Sequence, residues 1–502
     1  MSYHLPVIIF LIPFLTAICM PVVVGKRLHW CRPMALAAVF AMCVAAVVNL
    51  WIVLDHGETR YAFGGWDIST SLPAPPIGIE WVNDGLASIM LVVLSFLASV
   101  CLIYGGPLLP QSLGRRVVLY YTLILILISG LTGIVFAGDI FNIFVFLEVA
   151  ALSSYALVAV SGGRALVAAF RYLMLGTLGA SFYLLGVVFL YAVTGTLNMA
   201  DLAQQLMDKP ELLTSKAVIA GSTFMFIGLG IKMALFPLHG WLPDAYTRAP
   251  DAISPILAAL MTKVALYAWI RIMFRVLGAR AEMGQVRLLT LLGVLGAVAA
   301  VVGALLALSQ QDVKRMFAYG GISHIGLILI GVSLGNQTGF AGGMFYMIND
   351  AFMQAGAFFI AGAAIYLHGA RTVEDWASLR HGSPWMIGAL IILAMSMIGI
   401  PPTGGFFGKW YIILGAIEAG NYLAVGAVVV ATLLTMAYFQ RLFISIFRDL
   451  QTSSSTVRVE THRSLRVSVG VTSVAIIVLG LCSDPIIKLF RNVAESVGLV
   501  NS

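Results

Sequence analysis

The chain has 502 residues, 60% of them hydrophobic and only 10% charged, with a mean hydropathy of +0.99. Soluble domains carry roughly a quarter charged residues, and a soluble chain of this length would divide into domains joined by polar linkers; the composition excludes both. The net charge of +7 suits a membrane protein that collects Lys and Arg in its cytoplasmic loops, and no basic stretch interleaved with aromatics points to nucleic acid.

A helix needs about 20 apolar residues to cross a bilayer. In chain order such stretches fall at 5–24, 34–54, 82–103, 117–136, 139–160, 165–194, 217–240, 251–275, 286–308, 313–334, 340–367, 385–414, 421–446 and 467–490. The predicted fold is therefore all-α and polytopic, with about fourteen transmembrane helices. The runs are too long, and alternate too little, for a β-barrel. The first stretch has no basic residue before it and no small-residue cleavage site, so it reads as a retained helix rather than a signal peptide. The five cysteines, Cys19, Cys31, Cys43, Cys101 and Cys482, show no metal-ligand spacing and read as small apolar side chains.

Loop charge sets orientation. Lys26, Arg27 and Arg32 occupy the first loop. Arg115, Arg116, Arg164, Lys314, Arg315, Arg371, Arg380, Arg448, Arg458, Arg463 and Arg466 fall in later odd-numbered loops. The second loop carries Asp55, Glu58, Asp67 and Glu80 against Arg60. Odd loops are expected in the cytoplasm and both termini outside. One loop opposes this: Arg271, Arg275, Arg280 and Arg287 face only Glu282 between the eighth and ninth spans.

Two spans contain helix breakers. The seventh reads IKMALFPLHGWLPDA, with Lys232 about one turn before Pro237; the twelfth reads SMIGIPPTGGFFGKW, with Pro401 and Pro402 before Lys409. Proline removes a backbone donor, and a broken helix survives in a membrane only where protein or water satisfies the freed groups. Two broken helices five spans apart suggest two repeated halves, and the odd offset would make the repeats inverted in the membrane. The expected organisation is 1–116 (helices 1–3), 117–275 (first repeat), 286–446 (second repeat) and 447–502 (helix 14).

An ionisable side chain at mid-membrane costs at least ~2.5 kcal/mol. Charges near span ends can snorkel or sit among headgroups, which is the reading for Asp139, Arg271, Arg441 and Lys488. Glu148 in FNIFVFLEVAALSSYAL, Lys232, and Lys263 in LMTKVALYAWIR lie deeper. A lysine beside Glu148 could switch between charged and neutral forms as that partner moves or protonates; a static ion pair is the alternative. His324 can give and take a proton near neutral pH, or serve only as a hydrogen-bonded core residue. Lys409 lies by the twelfth-span break. His239 and Asp244, at a membrane surface, could bind a loop or lead protons inward. Nothing resembles a nucleophile with its base, a phosphate loop or a metal cluster, so no cofactor or metal is expected.

Taken together, FNIFVFLEVAALSSYAL, KMALFPLHGWLPDAYTRAP, LMTKVALYAWIR, QQDVKRMFAYGGISHIG and GIPPTGGFFGKW resemble the proton-translocating antiporter-like subunits of Mrp-type Na⁺/H⁺ antiporters, respiratory complex I and membrane-bound hydrogenases. The resemblance runs from about Gly138 to Arg441. It implies fourteen helices with two inverted five-helix repeats and broken helices 7 and 12, a Glu148–Lys232 pair, and relay roles for Lys263, His324 and Lys409. The lysine at the twelfth-helix position looks like the MrpD-type antiporter component or the N-type component of complex I. Two departures stand out. Tyr246 replaces a histidine common in relatives. Gln354 replaces a lysine, although Asp350 in MINDAFMQAG offers a titratable group.

The expected function is proton translocation within a multisubunit Na⁺/H⁺ antiporter in the plasma membrane, with other membrane subunits as partners and protons and sodium as the moving ions. The proton-pumping arm of a redox enzyme, a proton-coupled partner of inorganic-carbon uptake, and a purely structural subunit remain open. Any enzyme activity would belong to the complex, because the chain has no nucleotide fingerprint and no cluster ligands.

Overall fold

The computed structural model describes residues 2–25, 27–65, 78–109, 111–277, 282–283, 286–447, 462–496 and 499. The loop charges Lys26, Asp67, Arg280, Arg448 and Arg458 lie outside these residues. From the N-terminus the elements are α1 (Leu5–Val24), α2 (Cys31–His56), a hairpin of β1 (Thr59–Ala62) and β2 (Glu80–Asn83), and α3 (Gly85–Gly105). Next come α4 (Val117–Phe136), α5 (Ile140–Ala159), α6 (Arg164–Thr194), α7 (Met199–Asp208), α8 (Lys216–Lys232), α9 (Leu242–Arg248) and α10 (Ser254–Val276). A two-residue pairing of β3 (Glu282–Met283) with β4 (Val286–Arg287) leads into α11 (Leu288–Ser309), α12 (Val313–Ser333) and α13 (Gln337–His368). The chain closes with α14 (Pro384–Ile398), α15 (Gly404–Glu418), α16 (Tyr422–Phe447), α17 (Arg463–Leu481) and α18 (Ser483–Ser496).

Twelve of these helices are long and apolar enough to cross a membrane. The seventh and twelfth spans are split, into α8 and α9 and into α14 and α15, as their prolines require. Together they make the expected fourteen. Neighbours recur between the halves: α4 on α5, α5 on α6, and α6 along α8 and α9 are matched by α11 on α12, α12 on α13, and α13 along α14 and α15. An odd number of crossings separates each matched pair, so the halves run in opposite directions.

Small residues set the closest helix contacts. A Cβ on Gly228 would lie 2.5 Å from the Gly179 carbonyl where α8 meets α6, and one on Gly303 would lie 2.6 Å from the Ser323 nitrogen where α11 meets α12. Side-chain caps fix several helix starts. Asp139 accepts from the Phe141 and Asn142 amides, both at 2.8 Å, so it caps α5 rather than sitting among headgroups.

Several sequence readings change. The fourteenth span ends at Leu481, not near residue 490. Cys482 leaves helical geometry, and α18 follows as a separate amphipathic helix. Lys488 is on α18, paired with Asp484 at 2.7 Å. Arg441 donates to the Leu308 and Gln310 carbonyls at 2.6 and 3.0 Å, satisfying the open end of α11. Arg271 is 2% exposed and does not snorkel. It contacts Asp84, the cap of α3, at 3.2 Å; Arg275 reaches Asp84 at 2.7 Å and Glu58 at 2.9 Å. Two of the four arginines of the loop that opposes the orientation rule are thus paired with carboxylates. The cluster ties the second loop to the end of α10.

Burial pushes the Asp84 carboxyl up, but Arg271, Arg275 and the Ala87 amide outweigh it and hold it below the usual carboxylate range. At Glu58 burial is likewise outweighed, chiefly by Arg275. Depressed carboxyls contribute stability above their unfolded pKa, near ~4, and lose it as pH falls through their lower folded values. The melting temperature of the purified protein should therefore not register this cluster between about pH 8 and pH 5 and should fall in stronger acid. Asp84→Ala strands a buried arginine and should cost about 3 kcal/mol or more near neutral pH, a deficit that shrinks in strong acid. Thermal unfolding across pH measures both.

Candidate functional site

The break in the seventh span exposes carbonyls that need partners. α8 ends at Lys232, and the Trp241 indole donates to the Ile231 carbonyl at 2.7 Å. Tyr172 stacks flat on Trp241 with ring centroids 4.1 Å apart. Lys232 leaves the helix end and donates to Glu148 Oε1 at 3.1 Å and to the Tyr155 hydroxyl at 3.3 Å. Glu148 and Tyr155 are seven residues apart on α5, two helical turns along one face. Lys232 is buried, but the Glu148 side chain keeps 23% exposure. The pair therefore lies at the rim of the bundle.

A second constellation occupies the interior. The first part of α10 is π-helical over Leu257–Met261, a widening that frees backbone carbonyls. The Tyr246 hydroxyl donates to the Leu257 carbonyl at 2.9 Å and Lys263 donates to the Ala258 carbonyl at 3.0 Å. Tyr246 thus braces the segment that carries Lys263. Across from it, on α13, Asp350 is fully buried. Its Oδ2 lies 2.7 Å from Lys263 Nζ and its Oδ1 lies 2.6 Å from His324 Nδ1. One carboxylate is shared by two bases from two other helices. With Nδ1–H directed at Asp350, His324 Nε2 is left as an acceptor, and it has no partner among the described residues.

Beyond His324 the lining stays polar. Tyr438 and Gln354 approach α12 at Gly320 and Gly321, and the Tyr346 ring is 5.6 Å from the His324 ring. The Tyr346 and Tyr438 hydroxyls and Gln354 Nε2 are buried without a partner among the described residues, the kind of surface that ordered water satisfies. Lys409 follows. Its ammonium donates to the Met397 and Ile398 carbonyls at 2.8 and 3.1 Å and to Thr432 Oγ1 at 3.2 Å. Met397 and Ile398 end α14, where the helix dipole is negative.

With Asp350 added, the five principal candidates thus fall into a rim pair, Glu148–Lys232, an interior triad, Lys263–Asp350–His324, and Lys409 at the second break. Asp350, a secondary candidate in the sequence, is the centre. Three other candidates stand apart. Asp139 is a helix cap. Asp244 pairs with Arg171 at 3.0 Å and Arg315 at 3.6 Å, locking α9 to α6 and α12. His239 stacks on Phe236 and edges Tyr319. Sequence reading missed Tyr155, although its spacing from Glu148 was visible, and Thr432, which carried no signal. It also missed Lys314, which is buried and paired with Asp251 at 2.9 Å rather than exposed in a loop.

Fold and site together define a polytopic membrane protein with titratable side chains strung through its interior and helix breaks at two of them. Residues 137–435, more than half of the chain, match the family described as "NADH:quinone oxidoreductase/Mrp antiporter, TM", and the chain belongs to it. It is 40% identical to the NADH-quinone oxidoreductase subunit N of Desulforudis audaxviator over 97% of this chain and 98% of that one. It is 31% identical to a putative antiporter subunit, mnhD2, of Staphylococcus saprophyticus over 95% of this chain and 93% of that one. It superposes on a chain of the Mrp complex from Dietzia with a TM-score of 0.87 at 26% identity, covering 99% of this chain and 97% of that one.

Asp350→Asn keeps the side-chain shape but removes the one anion held by two bases. The assembled complex should survive, and proton flux in vesicles should fall to background. Wild-type flux in that variant would remove Asp350 from the site. Gln354 is one turn from Asp350 on the same helix, so Gln354→Lys should assemble, compete with Lys263 for the carboxylate and slow flux severalfold. Failure to assemble would instead assign Gln354 a packing role.

Proposed function

We propose that this chain is the proton-translocating subunit of a multisubunit monovalent-cation/proton antiporter. Protons move between Glu148–Lys232, Lys263–Asp350–His324 and Lys409. The observation that carries the reading is the single buried carboxylate of Asp350 held at 2.7 and 2.6 Å by a lysine and a histidine. At an effective dielectric of about 20, unit charges about 4 Å apart interact by about 4 kcal/mol, roughly a thousandfold in a protonation equilibrium. A proton arriving at His324 therefore weakens the hold of Asp350 on the proton of Lys263, and the reverse holds. Water bridges the gaps that exceed hydrogen-bond reach.

The antiporter assignment draws on the staphylococcal antiporter relative and on the Mrp complex neighbour. It brings with it other membrane subunits as partners and sodium as the exchanged ion, in the plasma membrane, with both termini on the outer side by the loop-charge rule. The recurring helix contacts support two repeats, 117–275 and 286–446, flanked by 1–116 and 447–502.

A second reading has its own observation. The 40% identical relative is named as a quinone oxidoreductase subunit, which favours the membrane arm of a redox-driven proton pump. Purification of the intact complex from its own membrane separates the two. Small membrane subunits without flavin or iron, and sodium-dependent proton flux in vesicles, are the expected result. Flavin and iron–sulfur subunits in the purified complex would replace the antiporter by a redox pump. In either complex, Glu148→Ala and Lys232→Ala should abolish transport and leave assembly intact.

A further inference from the structure

Lys409 differs from the other two relay lysines in what its ammonium touches. Lys232 meets the carboxylate of Glu148 and the hydroxyl of Tyr155, and Lys263 meets the carboxylate of Asp350. The partners of Lys409 among the described residues are the Met397 and Ile398 carbonyls at 2.8 and 3.1 Å and Thr432 Oγ1 at 3.2 Å. A backbone carbonyl accepts a hydrogen bond and has no proton to give, whereas a hydroxyl both accepts and donates. Among the described residues, Thr432 is therefore the one group in contact with Lys409 through which a proton can pass. Its hydroxyl is also unusually placed. Threonine inside a helix can donate back to the carbonyl four residues earlier. Thr435, one turn along α16, does so to Ala431 at 2.8 Å, and Thr132, Thr194 and Thr223 do the same in α4, α6 and α8. Thr432 instead turns to Lys409, and its own proton has no acceptor among the described residues. Lys409 is 4% exposed, but Thr432 is half-buried, beside the buried stripe of Val428, Ala431 and Thr435 on α16. The hydroxyl thus stands between a sealed ammonium and the more open side of α16.

We propose that Thr432 is the proton-transfer partner of Lys409, an inference that rests on the relay reading above. An ammonium proton of Lys409 passes to Thr432 Oγ1 as the Thr432 hydroxyl proton leaves to a water oxygen on the half-buried side of α16. One N–H bond and one O–H bond break, one O–H bond forms on Thr432 and one on the water. Lys409 is left as a neutral amine, Thr432 keeps one proton, and the positive charge moves to the water. The same step run backwards reloads the lysine, with the two carbonyls of α14 holding the ammonium that results.

Proton flux in vesicles carrying the intact complex tests the step. Thr432→Val keeps the shape and loses the hydroxyl, and flux should fall at least about tenfold. Thr432→Ser keeps the hydroxyl and should retain most of the flux. Thr432→Asn separates transfer from placement: its side-chain carbonyl can still hold the ammonium, but an amide does not pass a proton on, so flux should fall as it does in Thr432→Val. Wild-type flux in the assembled Thr432→Val or Thr432→Asn complex overturns the proposal. Loss of flux in an assembled Thr432→Ser complex also overturns it, because the threonine methyl would then matter through packing. The relay is scored separately by Lys409→Met. Loss of flux in that variant beside full flux in Thr432→Val keeps the relay and rejects the role of Thr432, whereas flux that survives Lys409→Met rejects the relay at Lys409 itself.

Discussion

Asp350 has no exposure at all, and its two oxygens are claimed by a lysine and a histidine. In water such an arrangement would be unremarked; inside a membrane it is a constraint on everything around it. Removing one partner of a buried pair costs about 3–5 kcal/mol, so α10, α12 and α13 are held in register by the charges they carry. The π-helical turn of α10 belongs to the same constraint. It releases the Ala258 and Leu257 carbonyls, one for Lys263 and one for Tyr246, so the lysine is held by a carboxylate and a carbonyl.

The two helix breaks answer the same demand from opposite directions. In the sequence Lys232 precedes its proline, whereas Lys409 follows its pair. In space the difference disappears. Lys232 is the last residue of α8, and Lys409 reaches back from α15 to the final carbonyls of α14. Each lysine is tied to the negative end of a half-helix, Lys232 as its last residue and Lys409 through its ammonium. What differs is the counter-group. Lys232 has Glu148 at the rim, where the carboxylate retains some exposure. Lys409 has carbonyls and a hydroxyl, and among the described residues it forms no ion pair.

Much of this architecture could be read from the sequence because membrane physics writes it in long apolar runs, and because proline and a buried charge are conspicuous against them. Glu148, Lys232, Lys263, His324 and Lys409 stand out by depth alone. Depth could not say who meets whom. Glu148 and Lys232 are separated by 84 residues, and Asp350 lies still further along the chain from Lys263; only tertiary packing closes those distances. Asp350 was undervalued because its partners come from two different helices. Lys314 was misread because a position next to a loop looks solvated until its carboxylate, Asp251, is placed beside it. The amphipathic α7 and α18 were missed because they are too short and too polar to register as spans.

In the proposed relay, the spatial order bears on where an extra proton would rest. Glu148 with Lys232, and Asp350 with Lys263, each balance to zero when charged, and both are closed pairs. The open end of the line is the interval between His324 Nε2, an acceptor without a protein partner among the described residues, and Lys409, held only by neutral oxygens. Tyr438, Tyr346 and Gln354 fill that interval with polar atoms that also lack partners there. A lysine in place of Gln354 would put a fixed charge into this interval. With a neutral glutamine there and the carboxylate one turn earlier, at Asp350, the interval stays empty of permanent charge. In the proposed relay, a proton leaving the triad would then meet no like charge from residue 354 on its way to Lys409. Asp350, one helical turn from Gln354, is the charged member of α13 in this stretch, and the proposed relay is built around that shared anion.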